Sequence, residues 1–272
     1  MIIAQLTDLH IKREGQLAYR KVDTSAALTA ALDHLAALPM RPDVVLFTGD
    51  LVDTGHPDEY ARLVLHLSGL TQPFYLLPGN HDAREALRAA FPGHGYLGME
   101  GPACYTIETY KLRIIALDSL VPGQGGGALG AAQLDWLTQR LEEQPERPTL
   151  IALHHPPFAT GIGHMDKLGL ADAQDFAAIV GRHKQVLRVI CGHVHRPITT
   201  GWAGSIASIA PSTAHQVALD LREDAPSAFM MEPGGYQLHA FSEETGLVSH
   251  TALTGGWAGP FPFFDAKGRL IE

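Results

Sequence analysis

The sequence predicts an α/β fold in which helices cover a mostly parallel β centre, and three observations lead there. Seven runs read as strands: 1–7, 43–48, 73–78, 103–109, 111–117, 149–154 and 186–191. Several are almost continuously apolar, as strands buried on both faces are. Helix-period patterns separate many of them. Finally, 272 residues with 46% apolar side chains suffice for one large domain with a sizeable core.

Behind the first run, Asp23 and Thr24 can cap a helix whose apolar stripe is Ala27, Leu28, Ala31, Leu32 and Leu35. Pro57, at a first-turn position, opens a second helix with Tyr60, Leu63, Val64 and Leu67 on one face. Two more helices are expected at 130–143 and 172–183. Only Tyr110 separates the runs 103–109 and 111–117, which leaves no room for a crossover helix, so mixed pairing is expected there. Gly123–Gly130 reads as a connection, because it lacks the Lys and Ser/Thr of a phosphate-cradling loop. Ser205–Ile209 reads as a further strand leading into Pro211-Ser212-Thr213-Ala214-His215. Residues 226–256 alternate as short strands with turns, and the tail Gly255–Phe264 is rich in Gly, Pro and aromatics. The pattern divides the chain into a main domain, 1–215, and a small β-rich C-terminal extension, 216–272.

No stretch approaches the ~20 apolar residues of a membrane helix. The N-terminus opens on a strand pattern rather than a basic start with a cleavage site, so no secretory signal is expected. Cys104 and Cys191 stand far apart, each beside apolar residues, and are expected as buried free thiols in a reducing, cytoplasmic setting. The net charge of −9 argues against broad nucleic-acid binding. It leaves room for a small phosphate ester, because bound metals invert the local field.

Five short polar motifs each follow an apolar run. They are Asp8-Leu9-His10, Gly49-Asp50, Gly79-Asn80-His81-Asp82, His154-His155 and Gly192-His193-Val194-His195. Asp, Asn and His are residue types that hold divalent metals, and strand ends are rigid places from which to deliver them. The two histidines of Gly-His-Val-His are two apart, so on an extended segment they point to one side. Cys191, the last residue of its apolar run, is expected to pack rather than to bind metal.

In this order the motifs resemble the calcineurin-like metallophosphoesterases, whose pattern is D-x-H, G-D, G-N-H-[DE], a strand-end His and G-H-x-H. The resemblance spans Asp8 to His195. It implies a four-layer αββα sandwich of two mixed sheets flanked by helices, with a two-metal site at the strand ends. It also implies one metal held by Asp8, His10, Asp50 and His195, and another by Asp50, Asn80, His154 and His193, with Asp50 bridging. Strand alternation lets only one of His154 and His155 face the metals, and the resemblance favours His154. The metals expected are two Mn, Fe, Zn or Co ions, which suit mixed His and carboxylate ligands. The chemistry implied is attack of a metal-bridging hydroxide on phosphorus.

The resemblance further gives His81 a contact with the phosphate and a role in protonating the leaving oxygen. Asp82 could orient His81 or cap a helix starting at Ala83. His215 could reach the substrate, or be a surface loop histidine. Tyr19, Phe158 and Trp202 could stack on a base, and the loop Ala159–Leu170, with His164 and Asp166, is expected to border the site. In Gly49-Asp50-Leu51-Val52-Asp53-Thr54-Gly55 the phosphate-binding Arg of Ser/Thr protein phosphatases is absent, and Asp53 stands where purple acid phosphatases carry Tyr. Length, His-His-Pro-Pro, the His215 segment and Trp257-Ala258-Gly259-Pro260 look most like bacterial class III cyclic nucleotide phosphodiesterases and glycerophosphodiesterases. That group implies hydrolysis of small phosphodiesters, 3′,5′-cyclic nucleotides or glycerophosphodiesters. It also implies a homodimer or higher oligomer anchored by Trp257, Phe261, Phe263 and Phe264, unless these fold back on their own core. A phosphomonoesterase or nucleotide pyrophosphohydrolase on the same site would use Arg84 and Arg196 against extra negative charge. A non-catalytic interaction scaffold would have lost metal-binding histidines, and none is missing.

Overall fold

Alternation within the first strand sets the layering. In β1 (Ile2–Leu6), Ile3 packs among Ile114, Leu150 and Ile190, whereas Ala4 and Leu6 pack with Leu28 and Leu35. One face therefore meets a second sheet and the other meets helices. The same division repeats in β2 (Val44–Thr48), with Val44 and Leu46 between the sheets and Val45 and Phe47 under helices. This explains why these runs read as continuously apolar.

The structure is a computed structural model that describes residues 1–271. Its first sheet continues through β3 (Phe74–Leu77), and β1, β2 and β3 run parallel. The second sheet begins with β4 (Tyr105–Ile107) antiparallel to β5 (Arg113–Ala116), the mixed pairing expected across Tyr110. It continues in parallel through β6 (Thr149–Ala152) and β7 (Val186–Cys191). A strand not anticipated, β8 (Ile198–Trp202), forms its edge beside β9 (Ser205–Ile209). As an edge strand with every second residue half-buried, β8 carries no continuous apolar signal.

Helices α1 (Thr24–Ala36), α2 (Pro57–Leu67) and α3 (Arg84–Ala90) cover the first sheet. The Asp23 side chain caps α1 by accepting from the Ala26 N–H at 2.9 Å. Helices α4 (Gly130–Glu143) and α6 (Ala173–Arg182) cover the second sheet, and a short α5 (Gly163–Asp166) lies between them in sequence. The result is the αββα sandwich of two mixed sheets. Cys191 is buried, Cys104 half-buried, and neither is paired.

Beyond residue 215 the chain first forms a two-stranded ribbon, β10 (Gln216–Val217) with β11 (Phe229–Met230). The hairpin β12 (Gly235–Ser242) and β13 (Gly246–Leu253) then joins the first sheet, β12 pairing antiparallel with β1 from Ile2↔Ala240 to Gln5↔Gln237. Tyr236 is fully buried among the helix-facing core residues. Residues 235–253 are thus woven into the main sheet, while the aromatics beyond them are exposed, Trp257 by 61% and Phe263 by 79%.

A chain ending at residue 215 leaves the β1 edge unpaired and removes Tyr236. It is expected to lose more than about 5 kcal/mol, comparable with a whole domain's net stability, and so to fail to unfold cooperatively. A chain ending at 253 is expected to keep a cooperative transition. Thermal unfolding followed by circular dichroism reads both, and a cooperative 1–215 would contradict the pairing described.

Candidate metal centre

Parallel strands align their carboxyl ends, so the segments leaving β1, β2, β3, β6 and β7 meet at one rim. There the backbone is unusual. Asp8 (φ 53°), His10 (45°), Asp50 (48°), His193 (72°) and His195 (54°) are all left-handed. Such residues are uncommon and cost roughly 1–2 kcal/mol each. The neighbouring glycines are required by space. A Cβ on Gly79 would collide with the carboxylate and amide of Asp50, and one on Gly192 would collide with Thr7.

The turns aim acceptors at one another. Carbonyl and carboxylate partners accept only, so they fix which ring nitrogens carry hydrogen. His154 Nδ1–H donates to Thr48 O (2.8 Å), His195 Nδ1–H to His215 O (3.1 Å), and His10 Nδ1–H to Asp53 Oδ1 (3.2 Å). Each Nε2 then presents a lone pair inward. His10 Nε2 lies 3.1 Å from His195 Nε2 and 3.6 Å from Asp50 Oδ2. His154 Nε2 is 3.3 Å from Asp50 Oδ2, and His195 Nε2 is 3.3 Å from Asp8 Oδ1. Beside them His193 Nδ1 and Asn80 Oδ1 stand 3.0 Å apart. Asp8 and Asp50 also accept from the backbone, from His193 N (3.1 Å) and His81 N (2.9 Å). His154 Nε2 and His193 Nε2 are buried without a protein partner. The histidine lone pairs and carboxylates thus converge with no donor between them, a set that fits divalent transition-metal ions.

The electrostatics agree. Burial alone would raise the Asp8 pKa, but His195 overrides it and holds the carboxyl at about 2. Asp50 is likewise held well below its ordinary range, with His154 outweighing burial. Burial pushes His154 down, yet Asp50 and Asp8 bring it up to about 9. Even before a metal's charge is added, the cluster favours a positive charge beside Asp50. His193, driven to about 3 by burial and by His154, is a neutral lone-pair donor.

The calcineurin-like phosphoesterase family model matches residues 1–197. The chain belongs to that family. It is 43% identical over its whole length, and the whole of the relative, to the "Probable glycerophosphodiester phosphodiesterase GpdQ" of Arcobacter nitrofigilis. It is 30% identical to the "Glycerophosphodiester phosphodiesterase GpdQ" of Enterobacter lignolyticus, over 96% of this chain and 94% of that one. The cyclic AMP phosphodiesterase CpdA of Escherichia coli K12 is also 30% identical, over 79% of this chain and 76% of its own. Among solved structures, a dimetal phosphatase from Danio rerio superposes with a TM-score of 0.67 at 15% identity, over 94% of this chain and 99% of that one. That likeness shows the shared fold.

Around this centre His155 takes the outward place expected of it, and several other residues lie differently from expectation. His155 turns away, its Nδ1 against Ser119 Oγ (2.8 Å) and its Nε2 against Gly125 O (3.2 Å). Asp82 takes neither of its two expected roles. Its carboxylate accepts from the backbone N–H groups of Leu51 (3.0 Å), Val52 (3.3 Å) and Gly79 (2.9 Å) and from the Tyr60 hydroxyl (2.8 Å). It ties the Asp50 turn to the Asn80 turn, and α3 starts without a side-chain cap. His81 is oriented instead by Asp53 O, at 2.7 Å from its Nδ1. Arg84 pairs with Asp118 (2.5 Å), and Arg196 with Glu232 (2.6 Å). Trp202 packs on Phe176 and Phe158 lies against the second helical core, so neither lines the site cavity.

A cavity of about 400 Å³ opens over the cluster. It brings together His10, Asp50, Asn80, His81, His193, His195 and His215, with Tyr19 and the α5 residues His164 and Met165 at its wall. Asp166 lies outside it, accepting from Thr160 N and Oγ1 (both 2.7 Å). Phe229, which the sequence did not single out, stacks on Tyr19 (ring centroids 5.0 Å) and borders His215 (5.3 Å). Asp53 was also missed as a partner, although its place five residues beyond the Thr48 strand end was a usable signal.

Asp53 bonds both His10 and Lys12 Nζ (2.6 Å). Burial would raise its pKa, but these two partners hold it well below the ordinary 3.8. A depressed carboxylate stabilises the fold only while ionised. In the metal-free protein its contribution is therefore complete above pH 3.8 and fades as acid is added through its own lowered pKa. Asp53→Asn should lack this acid-side loss and bind Mn about tenfold more weakly, because His10 loses a charged partner. Metal titration calorimetry checks it, and unchanged affinity would rule out Asp53 as a support for His10.

Proposed function

We propose that the protein hydrolyses small phosphodiesters at a dinuclear metal centre, with glycerophosphodiesters ahead of cyclic nucleotides as substrates. The observation that carries this reading is the charge of the cavity. No Arg or Lys stands among the described residues lining it. Arg84 and Arg196 are committed to carboxylates elsewhere, and Lys12 is paired with Asp53. Two divalent ions set against Asp8, Asp50 and one hydroxide leave a single positive charge, which matches a phosphodiester monoanion better than a monoester dianion. The match over the whole chain, at 43% identity, to a relative named for a glycerophosphodiesterase supports the order of substrates.

In this reading Asp8, His10, Asp50 and His195 hold one ion, and Asp50, Asn80, His154 and His193 hold the other. The ions are Mn, Fe, Zn or Co. When bound, such a pair supplies Lewis acidity and lowers the pKa of a water toward neutrality. His81 gives its Nδ1–H to Asp53 O, which leaves Nε2 for the substrate. Burial disfavours a charged His81, but Asp50 and Asp53 outweigh it and raise its pKa, so the ring can hold a proton to pass to the leaving alcohol. His215 is driven to about 3 by burial and by His195, and so meets the substrate as a neutral ring. The two unpaired thiols suit a reducing compartment, and we place the protein in the cytoplasm. The exposed tail aromatics are assigned to a homodimer or higher oligomer. Equal subunit number by light scattering for the whole chain and a chain ending at 253 would remove that assignment.

The deciding assay compares bis(p-nitrophenyl) phosphate, p-nitrophenyl phosphate and glycerophosphoethanolamine on protein loaded in turn with Mn, Fe, Zn or Co. The expected outcome is at least tenfold higher kcat/KM for the diester than for the monoester, abolished by chelation. His81→Ala should lower kcat about a hundredfold with two metals retained, whereas Asn80→Ala should lose one metal. No diester turnover with any of the four metals would sink the proposal.

A further inference from the structure

A buried hydrogen-bond chain runs from the C-terminal hairpin to the floor of the metal centre, and we propose that His239 is a positioning residue for the metal ligands, acting through Gln5. The inference rests on the metal assignment proposed above. Gln5 is in register with Ile3 on the β1 face turned toward the second sheet, and it is fully buried. Its side-chain Nε2 donates to Thr48 Oγ1 (3.0 Å) and to Cys191 O (2.9 Å). Thr48 ends β2 two residues before Asp50, and Cys191 ends β7 two residues before His193. Thr48 O is in turn the acceptor that orients His154. One amide therefore stands beneath the turns of both sheets and holds the two sheets together at the ligand end.

Proton positions follow from the partners. The Cys191 carbonyl can only accept, so the amide nitrogen must face it and Oε1 must face away. His239 Nε2 lies 3.0 Å from that Oε1 and so carries the hydrogen. His239 Nδ1 is then the acceptor for the Ser249 hydroxyl at 2.6 Å. His239 is fully buried, and burial, aided by Arg188, pushes its pKa to about 3, so this pattern is constant at any working pH. Without the His239 donor, Gln5 Oε1 is a buried acceptor with no partner, a cost the amide can lower only by shifting from its place against Thr48 and Cys191. The turns that carry Asp50, His154 and His193 then lose a shared reference point.

The experiment is Mn titration calorimetry and metal analysis on the full chain, with Tm measured for each variant. His239→Leu should raise the metal dissociation constant about tenfold or more and lower kcat with KM little changed. His239→Gln, which can still donate to Gln5, should restore much of the affinity. Phe241→Leu, a core change on the same strand facing the same space, should lower Tm while keeping the wild-type metal affinity. Ser249→Ala, at the half-buried end, should show a smaller loss of the same kind and gives the answer if His239→Leu does not fold. Wild-type metal affinity in His239→Leu, or in Ser249→Ala where His239→Leu does not fold, or a loss in Phe241→Leu that matches His239→Leu at the same Tm, overturns the positioning role. Failure of the wild type to bind metal overturns the metal assignment instead.

Discussion

The structure depends on a concentration of buried acceptors that outnumbers its donors, the carboxylates of Asp8 and Asp50 taking only the backbone N–H groups of His193 and His81. The inward lone pairs of His10, His154 and His195 and the carboxylates of Asp8 and Asp50 stand within 3.1 to 3.6 Å of a neighbour in the set. Two lone pairs facing each other, as at His10 and His195, repel, and burial denies them water. Only positive charge relieves the set. A proton does so in part, as the elevated His154 pKa indicates, but one proton cannot satisfy five groups. The α/β sandwich matters because parallel strands from two sheets bring their carboxyl ends to one rim. A single sheet would offer ligands along a line, whereas two sheets enclose a volume.

Holding that volume is costly. Five left-handed non-glycine residues sum to roughly 5–10 kcal/mol at 1–2 each, on the scale of a domain's entire net stability. They persist only if the surroundings leave no alternative. Asp82 is one of those surroundings. Burial raises its pKa to about 6, with Asp50 adding to the rise, yet three backbone N–H groups and the Tyr60 hydroxyl give it four donors. Because Tyr60 belongs to α2, a helix on the outside of the sandwich takes part in fixing the Asp50 and Asn80 turns. Gln5 does the same from the space between the sheets.

The ligands were legible in the sequence because their side chains are chemically conspicuous behind apolar runs. Their supports were not, because support is reached through space rather than along the chain. Arg84 and Arg196 looked available for phosphate, but Asp118 and Glu232 lie 34 and 36 residues away in sequence and claim them. Asp82 offered two local roles by adjacency, yet its partners come from 22 to 31 residues upstream as well as from Gly79. The strands around Asp8, Asp50 and His193 were readable from continuous apolar runs. The hairpin β12–β13 was read as part of an extension, because one strand is polar on its outer side and its pairing with β1 closes over more than two hundred residues. Trp202 could stack on a base by residue type alone, but Phe176 occupies its face.

The division between reaction and selectivity follows from which elements are rigid. Every residue assigned to phosphorus chemistry, His215 excepted, sits at or just beyond a strand of the two sheets. The opposite wall comes from other places. Tyr19 lies on the loop after β1 at φ 49°, Phe229 on a two-residue strand, and His164 and Met165 on a four-residue helix. His215 joins the two regions, its ring 4.7 Å from that of His195 and 5.3 Å from those of Tyr19 and Phe229. A cavity of about 400 Å³ is near the small end of ligand sites, and the phosphoryl group and its ligands take part of it. What is left lies between the Tyr19–Phe229 pair and the short helix α5. Loops and short elements can change without disturbing the sheets. The same metal-binding frame can therefore serve diesters of different alcohols, with the change confined to residues 19, 164–168 and 217–229.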